Sequence, residues 1–103
     1  MMTILHTVNH SPDSSDQLRA CLSRVLPDSA IILYEDGVYA ALDKIAKRPD
    51  IELQKLDCKL YAVREDCEAR GLQEAALCKM VTLIDYPEFV ELVTQYDVVQ
   101  AWS

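Results

Sequence analysis

Residues 30–34, Ala-Ile-Ile-Leu-Tyr, form an unbroken apolar run. A strand inside a parallel sheet is covered on both faces, so it lacks the alternation of apolar and polar residues that marks a half-exposed strand. The run therefore predicts a buried strand of a parallel sheet. Glu35 and Asp36 end this strand, and Gly37 permits a sharp change of direction in the chain that follows.

Further strands are predicted on both sides of this run. Short stretches of apolar and β-branched residues mark them at residues 3–8, 59–63, 80–84 and 97–102. These strands alternate with helical patterns, which predicts an α/β fold with a mostly parallel five-stranded sheet, right-handed crossovers and helices on both faces. We expect a single domain over residues 1–103, with the last strand at an edge of the sheet.

Apolar residues at three- and four-residue spacing mark the helices. The first helix is expected to begin at Asp13 or Ser14 and to stop before Pro27, with Cys21 on its apolar face. Three later helices are predicted over residues 38–45, over residues 64–70 ended by Gly71, and from 86 to about 95. The last of these begins within Asp85-Tyr86-Pro87-Glu88, which resembles a capping box, with Pro87 placed where its missing N–H costs little.

The charge of the chain limits its partners. Seventeen Asp and Glu residues against ten Lys and Arg residues give a formal net charge of −7. A negative surface repels the phosphates that dominate affinity for nucleic acids, so direct binding of RNA or DNA is not expected. The sequence shows no basic leader and no run near the roughly 18 apolar residues that span a bilayer. We expect no membrane attachment and a cytoplasmic location.

Several chemistries that use parallel sheets lack their motifs in this chain. Two glycines in all are too few for the loops that approach a dinucleotide or a phosphate, and no Gly-x-Ser-x-Gly turn is present. Cys21, Cys58, Cys67 and Cys78 match no common zinc-ligand spacing. We therefore expect no cofactor, no metal and reduced thiols.

Thiol chemistry remains, and it depends on a lowered thiol pKa. Cys21 lies about two turns into the first predicted helix, where the helix dipole gives little help, so packing on an apolar face is the ordinary interpretation. The other three cysteines are expected to be bystanders. His6 is expected to be a hydrogen-bonded core residue, and His10 is better placed to meet an anion or a partner. Asp36 is expected to cap a helix or to belong to an interface.

Five groups of residues follow one another in a familiar order. They are Leu-His-Thr-Val-Asn-His-Ser-Pro at 5–12, Tyr-Glu-Asp-Gly-Val-Tyr-Ala-Ala at 34–41, Leu-Tyr-Ala-Val at 60–63 with Ala-Arg-Gly at 69–71, Ile-Asp-Tyr at 84–86 with Phe-Val at 89–90, and Gln-Ala-Trp at 100–102. With this ordered set the chain resembles the DsrH/TusB family over nearly its whole length.

The resemblance implies a DsrE/F-like fold and a subunit of a sulfur relay complex. In such complexes it joins DsrE/TusD-like and DsrF/TusC-like chains in a heterohexamer, and sulfur travels as a cysteine persulfide. In the TusBCD branch a TusE-like acceptor carries the sulfur towards 2-thiouridine at the wobble position of tRNA. In the DsrEFH branch a DsrC-like acceptor serves cytoplasmic sulfur oxidation. The main acceptor cysteine of both complexes lies on the DsrE/TusD-like subunit.

Two hypotheses for this chain follow from the resemblance. DsrH-type members place a cysteine in the segment that corresponds to Cys21, which makes Cys21 a candidate persulfide carrier. The alternative is a non-catalytic subunit that positions its partners, so whether the chain is itself catalytic stays open at this point. For the interface we single out four residues around the apolar last strand, although core packing would also explain some of them. They are Tyr96, Val98, Val99 and Trp102.

Overall fold

The computed structural model describes residues 2–102 and contains five strands, all paired in parallel. The strands are β1 Ile4–Val8, β2 Ala30–Leu33, β3 Lys59–Val63, β4 Val81–Ile84 and β5 Val98–Trp102. Their order across the sheet is β4-β3-β2-β1-β5. The predicted fold class is confirmed, and β5 lies at an edge of the sheet as expected.

Four α-helices and three short 3-10 helices connect the strands in the described residues. The α-helices are α1 Gln17–Leu22, α2 Asp43–Ala46, α3 Arg64–Ala69 and α4 Tyr86–Gln95. The 3-10 helices are Glu35–Ala41, Leu53–Lys55 and Glu74–Ala76.

The strand order places the helices on two faces. From β1 to β4 each strand is added on the same side of the last, whereas β5 returns to the far side of β1. Right-handed crossovers therefore put α4 on the face opposite to the other helices. We call the two sides the α1 face and the α4 face.

Each face has its own apolar cluster. On the α1 face, Val8 and Leu33 pack with α1, α2, α3 and the 3-10 helix Glu35–Ala41. On the α4 face, buried strand residues pack against three half-buried side chains at α4, which are Phe89, Leu92 and Tyr96. Helices therefore pack on both faces of the sheet, with several on the α1 face and α4 alone on the other.

The helix predicted over residues 38–45 is wrong in its form. The structure has the 3-10 helix Glu35–Ala41, an extended residue at Leu42 (φ −59°, ψ 130°) and then α2. A 3-10 helix repeats every three residues, so Val38 and Ala41 share a buried side as they would in an α-helix. Apolar spacing alone does not distinguish the two.

The first helix begins later than predicted, and neither Asp13 nor Ser14 caps it. The amide of Ser14 donates to the carbonyl of Ser11 (3.2 Å), which closes a turn before the helix. The Ser14 hydroxyl donates to the same carbonyl (3.2 Å), and serine side chains compete with helix formation by making local hydrogen bonds of this kind. The Asp13 carboxylate instead accepts from Arg48 (2.8 Å), and α1 begins at Gln17.

Two terminal signals of the sequence are confirmed. Asp85 accepts from the amide of Glu88 (2.8 Å), and Glu88 accepts from the amide of Asp85 (3.0 Å), which completes the capping box of α4. Gly71 follows α3 with φ of +70°, the left-handed conformation that favours glycine after a helix. Both elements end or begin where the sequence indicated.

Candidate functional site

Cys21 lies on the inner side of α1, with none of its surface exposed. It belongs to the apolar cluster of the α1 face, together with Leu18. Burial raises the pKa of the Cys21 thiol to about 12, and the nearby Cys58 raises it further. A thiol with this pKa is protonated at neutral pH, so the arrangement supplies neither a thiolate nor access for a sulfur donor.

The two arginines near Cys21 in sequence bind other groups. Arg19 contacts Asp16 (2.9 Å) and Asp50 (2.8 Å). The guanidinium of Arg24 lies 5.9 Å from the centre of the Trp102 ring. Arg48 also contacts Asp50. The hydrogen bonds from Arg48 and Arg19 lower the pKa of the Asp50 carboxyl to about 2. These contacts hold α1 in place and leave the Cys21 thiol without a cationic neighbour from this helix.

The other cysteines are not activated either. Burial, with a contribution from Asp57, raises the pKa of the half-buried Cys58 thiol to about 11. Burial also raises the pKa of the thiols of Cys67 and Cys78, which are both buried. All four cysteines are free thiols in the structure. Cys58 is the most accessible of them.

The four interface candidates have different surroundings. Trp102 is half-buried, and its indole Nε1 donates to Nδ1 of His6 (3.0 Å). His6 is 3% exposed, and burial lowers its pKa, so the neutral ring that Trp102 requires is favoured. Tyr96 is half-buried in the cluster of the α4 face, Val98 is half-buried, and Val99 is 42% exposed. Trp102 and Tyr96 thus also have packing roles, and the expected core position of His6 is confirmed.

One flank of α4 exposes apolar side chains that the sequence analysis did not single out. Tyr86, Val90 and Val93 are 41%, 66% and 37% exposed. Their spacing of four and three residues puts them on one side of the helix, and reading this heptad-like spacing could have found them. Val99 pairs with Leu5 and so shares the α4 face. We call Tyr86, Val90, Val93 and Val99 the α4/β5 surface.

A network of hydrogen bonds joins the carboxyl ends of β2, β3 and β4, the edge where α/β proteins usually bind ligands. Asp66 is buried at its centre, where its carboxylate accepts from the Tyr86 hydroxyl and from the amide of Glu35, both at 2.7 Å. The Asp66 carboxylate raises the pKa of Tyr86 to about 12. Both carboxylate oxygens of Asp66 accept hydrogen bonds, so Asp66 links the chain after β2 to the start of α4.

Asp36, at the same edge, lies inside the 3-10 helix Glu35–Ala41 and does not cap it, which corrects one of the two expectations for this residue. No side chain caps the 3-10 helix Glu35–Ala41. The Asp36 carboxylate accepts from Nε of Arg70 (2.8 Å), and Arg70 also donates to the carbonyl of Asp66 (3.1 Å). Asp36 therefore ties the 3-10 helix to the end of α3.

Two further features of residues 2–102 concern membranes and metal ions. None of the helices there combines the length and the apolar character required to cross a bilayer. Within the same residues, no group of three or more His, Cys, Asp and Glu side chains is arranged to hold a metal ion.

Known proteins share this arrangement of strands and helices. The family model described as DsrH like protein matches residues 10–99. This parallel α/β chain therefore belongs to the DsrH family.

Individual relatives agree with this family. A protein named TusB from Erwinia tasmaniensis is 37% identical over 99 residues, which is 96% of this chain and 100% of the relative. A protein named TusB from Pectobacterium atrosepticum is 40% identical over 101 residues, with the same coverage of both chains. The crystal structure of the ychN protein from E. coli is also similar, with a TM-score of 0.73 and 19% sequence identity. The alignment covers 98% of this chain and 99% of the ychN chain. That last likeness concerns the fold alone.

Proposed function

We propose that this chain is a non-catalytic subunit of a cytoplasmic sulfur relay complex that serves the synthesis of 2-thiouridine at the wobble position of tRNA. Membership of the DsrH family supports the sulfur relay, and the full-length relatives named TusB support the tRNA branch. The burial of Cys21 is the observation that carries the non-catalytic role. The chain then serves to assemble and position its partners.

Transfer of persulfide sulfur requires an accessible thiolate. The acceptor thiolate attacks the outer sulfur of a persulfide, a new S–S bond forms, and the donor cysteine leaves as a thiolate. Cys21 has no exposed surface and a pKa of about 12, so it is poorly suited to either role. The sulfur in this proposal is held by a cysteine of the DsrE/TusD-like subunit and passes to a TusE-like acceptor.

The α4/β5 surface is the contact that we assign to the DsrE/TusD-like and DsrF/TusC-like partners. Exposed apolar side chains grouped on one face are typical of protein interfaces. β5 also offers the unpaired backbone of an edge strand. A partner packed on Val90 and Val99 would bury the exposed apolar side chains and could pair with the free edge of β5. A heterohexamer would supply such a partner. Tyr96 packs in the cluster beneath this surface, whereas Trp102 packs on the α1 face, and Val98 shares that side of β5 by strand alternation.

The test is intact-protein mass spectrometry of the reconstituted three-subunit complex after incubation with a persulfide donor. Each sulfur atom bound to a thiol adds about 32 Da, and a reductant removes it. We expect the gain on the DsrE/TusD-like chain and none on this chain. A Cys21→Ala variant should assemble and support the same transfer to a TusE-like acceptor, because alanine retains an apolar side chain at a buried position.

One control variant and a second acceptor protein make the result specific. Cys58→Ala is the matched control, since Cys58 is the more accessible thiol. A reducible gain on this chain that Cys21→Ala abolishes and Cys58→Ala preserves would contradict the non-catalytic role and make Cys21 a carrier. A loaded complex that delivers sulfur to a DsrC-like acceptor and not to a TusE-like one would contradict the tRNA branch.

A further inference from the structure

A second apolar surface lies on the α1 face, as an open groove between α2 and residues 74–80. Its volume is about 980 Å³. Leu42, Ala46, Leu77 and Met80 give it an apolar lining, and Leu42 and Leu77 join its two walls through an isolated antiparallel bridge. None of these residues belongs to the α4/β5 surface. The proposed function therefore leaves this groove without a role.

The rim of the groove carries one more positive than negative side chain, although the chain as a whole is acidic. Lys44, Lys47 and Lys79 line it against the carboxylates of Asp43 and Glu74, so the groove carries a local excess of positive charge. Lys47 is held by Asp43 (2.8 Å). Within residues 2–102, Lys44 and Lys79 take part in no ion pair, and both are exposed. Glu74 is also exposed and unpaired within these residues, so the unpaired charges of the groove are two positive and one negative.

The lining favours a protein segment over a small metabolite. Sites for small molecules usually enclose most of the ligand and fix its orientation with a few convergent polar groups. Here the charged side chains and Gln54 are at the surface of an open groove. Strand addition is also disfavoured, because one wall is α2, the other contains the 3-10 helix Glu74–Ala76, and a bridge already joins them. An amphipathic helix suits an open groove with an apolar floor.

We infer that this groove binds an acidic amphipathic helix of a partner protein. Apolar side chains of that helix would occupy the floor between Ala46 and Leu77, and its carboxylates would meet Lys44 and Lys79. The net charge of −7 opposes non-specific attraction of an acidic helix. If the chain binds an acidic helix more tightly than a basic one, the overall charge cannot be the cause, and the lysines of the groove are the explanation. The inference does not rest on the sulfur relay, since binding a helix requires no sulfur donor.

The probe is a helical peptide of about two leucine and glutamate heptads, with a leucine and lysine peptide of the same pattern as its counterpart. Amide ¹H–¹⁵N spectra of the labelled chain are recorded during titration with each. We expect the glutamate peptide to shift the amides of α2 and of residues 74–80. Lys44→Glu with Lys79→Glu should weaken its binding about tenfold, the combined effect of two surface ion pairs.

Matched variants distinguish the effect of the groove lysines from the effect of net charge. Lys59→Glu with Arg64→Glu gives the same net charge outside the groove and should leave the affinity nearly unchanged. Ala75→Trp fills the groove at an exposed alanine and should abolish binding, whereas Ala20→Trp on the outside of α1 should not. Equal losses in both charge variants, shifts confined to the α4/β5 surface, stronger binding of the lysine peptide in the groove, or no binding at millimolar peptide would each overturn the inference.

Discussion

The α1 face and the α4 face of the sheet differ in how completely they are covered. On the α1 face three α-helices and a 3-10 helix bury Cys21, Leu18 and Val38 entirely or almost so. On the α4 face the helix α4 contributes no buried residue, and one of its flanks is exposed and apolar. We therefore expect substitutions on the α1 face to affect stability most, and we propose the exposed flank of α4 as the contact with the relay subunits. The thiol expected to carry sulfur lies on the stable side.

The largest effect is expected on the α1 face, from Gly37→Ala. A Cβ atom at Gly37 would lie 2.2 Å from the backbone oxygen of Val8, which no rotamer change relieves. We expect a loss of about 3 kcal/mol or more in the free energy of unfolding, measured by urea denaturation. Gly71→Ala is the control: it meets no atom within 4 Å and should cost about 1 kcal/mol from its positive φ. Equal costs would contradict the close contact.

Leu18→Ala tests the packing of the same face directly. Leu18 is 1% exposed, so truncation removes buried surface and leaves a cavity. We expect a loss of about 2–4 kcal/mol, measured as the change in free energy of unfolding. A loss under about 1 kcal/mol would show that α1 is not firmly packed, and the buried state of Cys21 would then need revision.

Cys21→Ser tests whether the thiol is a packing group. A hydroxyl placed among apolar side chains lacks a partner, so we expect a loss of about 1–3 kcal/mol in the free energy of unfolding. The half-buried Cys58 provides the control, since Cys58→Ser leaves its hydroxyl closer to water. If the two serine variants were equally stable, the apolar surroundings of Cys21 would be in doubt.

Much of this division was predictable from the sequence, because strands and helix ends have local signals. All five strands were predicted, and the Asp85 capping box and Gly71 marked helix ends correctly. The 3-10 helix Glu35–Ala41 was not predictable, because its tight start depends on the contact of Gly37 with Val8, which is distant in sequence. The burial of Cys21 was predicted as the ordinary interpretation, but the pairing of Arg19 with Asp50 needed the fold.

Tyr86→Phe tests the hydrogen bond that links α4 to Asp66. We expect the free energy of unfolding to fall by about 1 kcal/mol near pH 7. The folded pKa of Tyr86 is about 12, above the usual 10, so its stabilising effect is complete below pH 10. That effect is lost as pH rises through 12. The difference in free energy of unfolding between wild type and variant should therefore shrink between pH 10 and 12. A difference that stays constant over this range would exclude the hydrogen bond.

The smallest effect on the isolated chain is expected from Val90→Ser on the α4 face. Val90 is 66% exposed, so the free energy of unfolding should change by less than about 0.5 kcal/mol. In the reconstituted complex the same change should weaken association with the partner subunits, measured by analytical ultracentrifugation. Glu91→Ser, on another side of α4, is the matched control. Equal association of the two variants would contradict a contact at Val90.

Hydrogen exchange of this chain, alone and in the reconstituted three-subunit complex, tests the division between the faces most directly. The mass of each peptide reports which backbone amides gain protection on assembly. We predict strong new protection in α4 and β5, and little change in α1 and β2, which are already covered. Protection that appears first in α1 around Cys21, with α4 and β5 unchanged, would contradict the assignment of the contact surface to the α4 face.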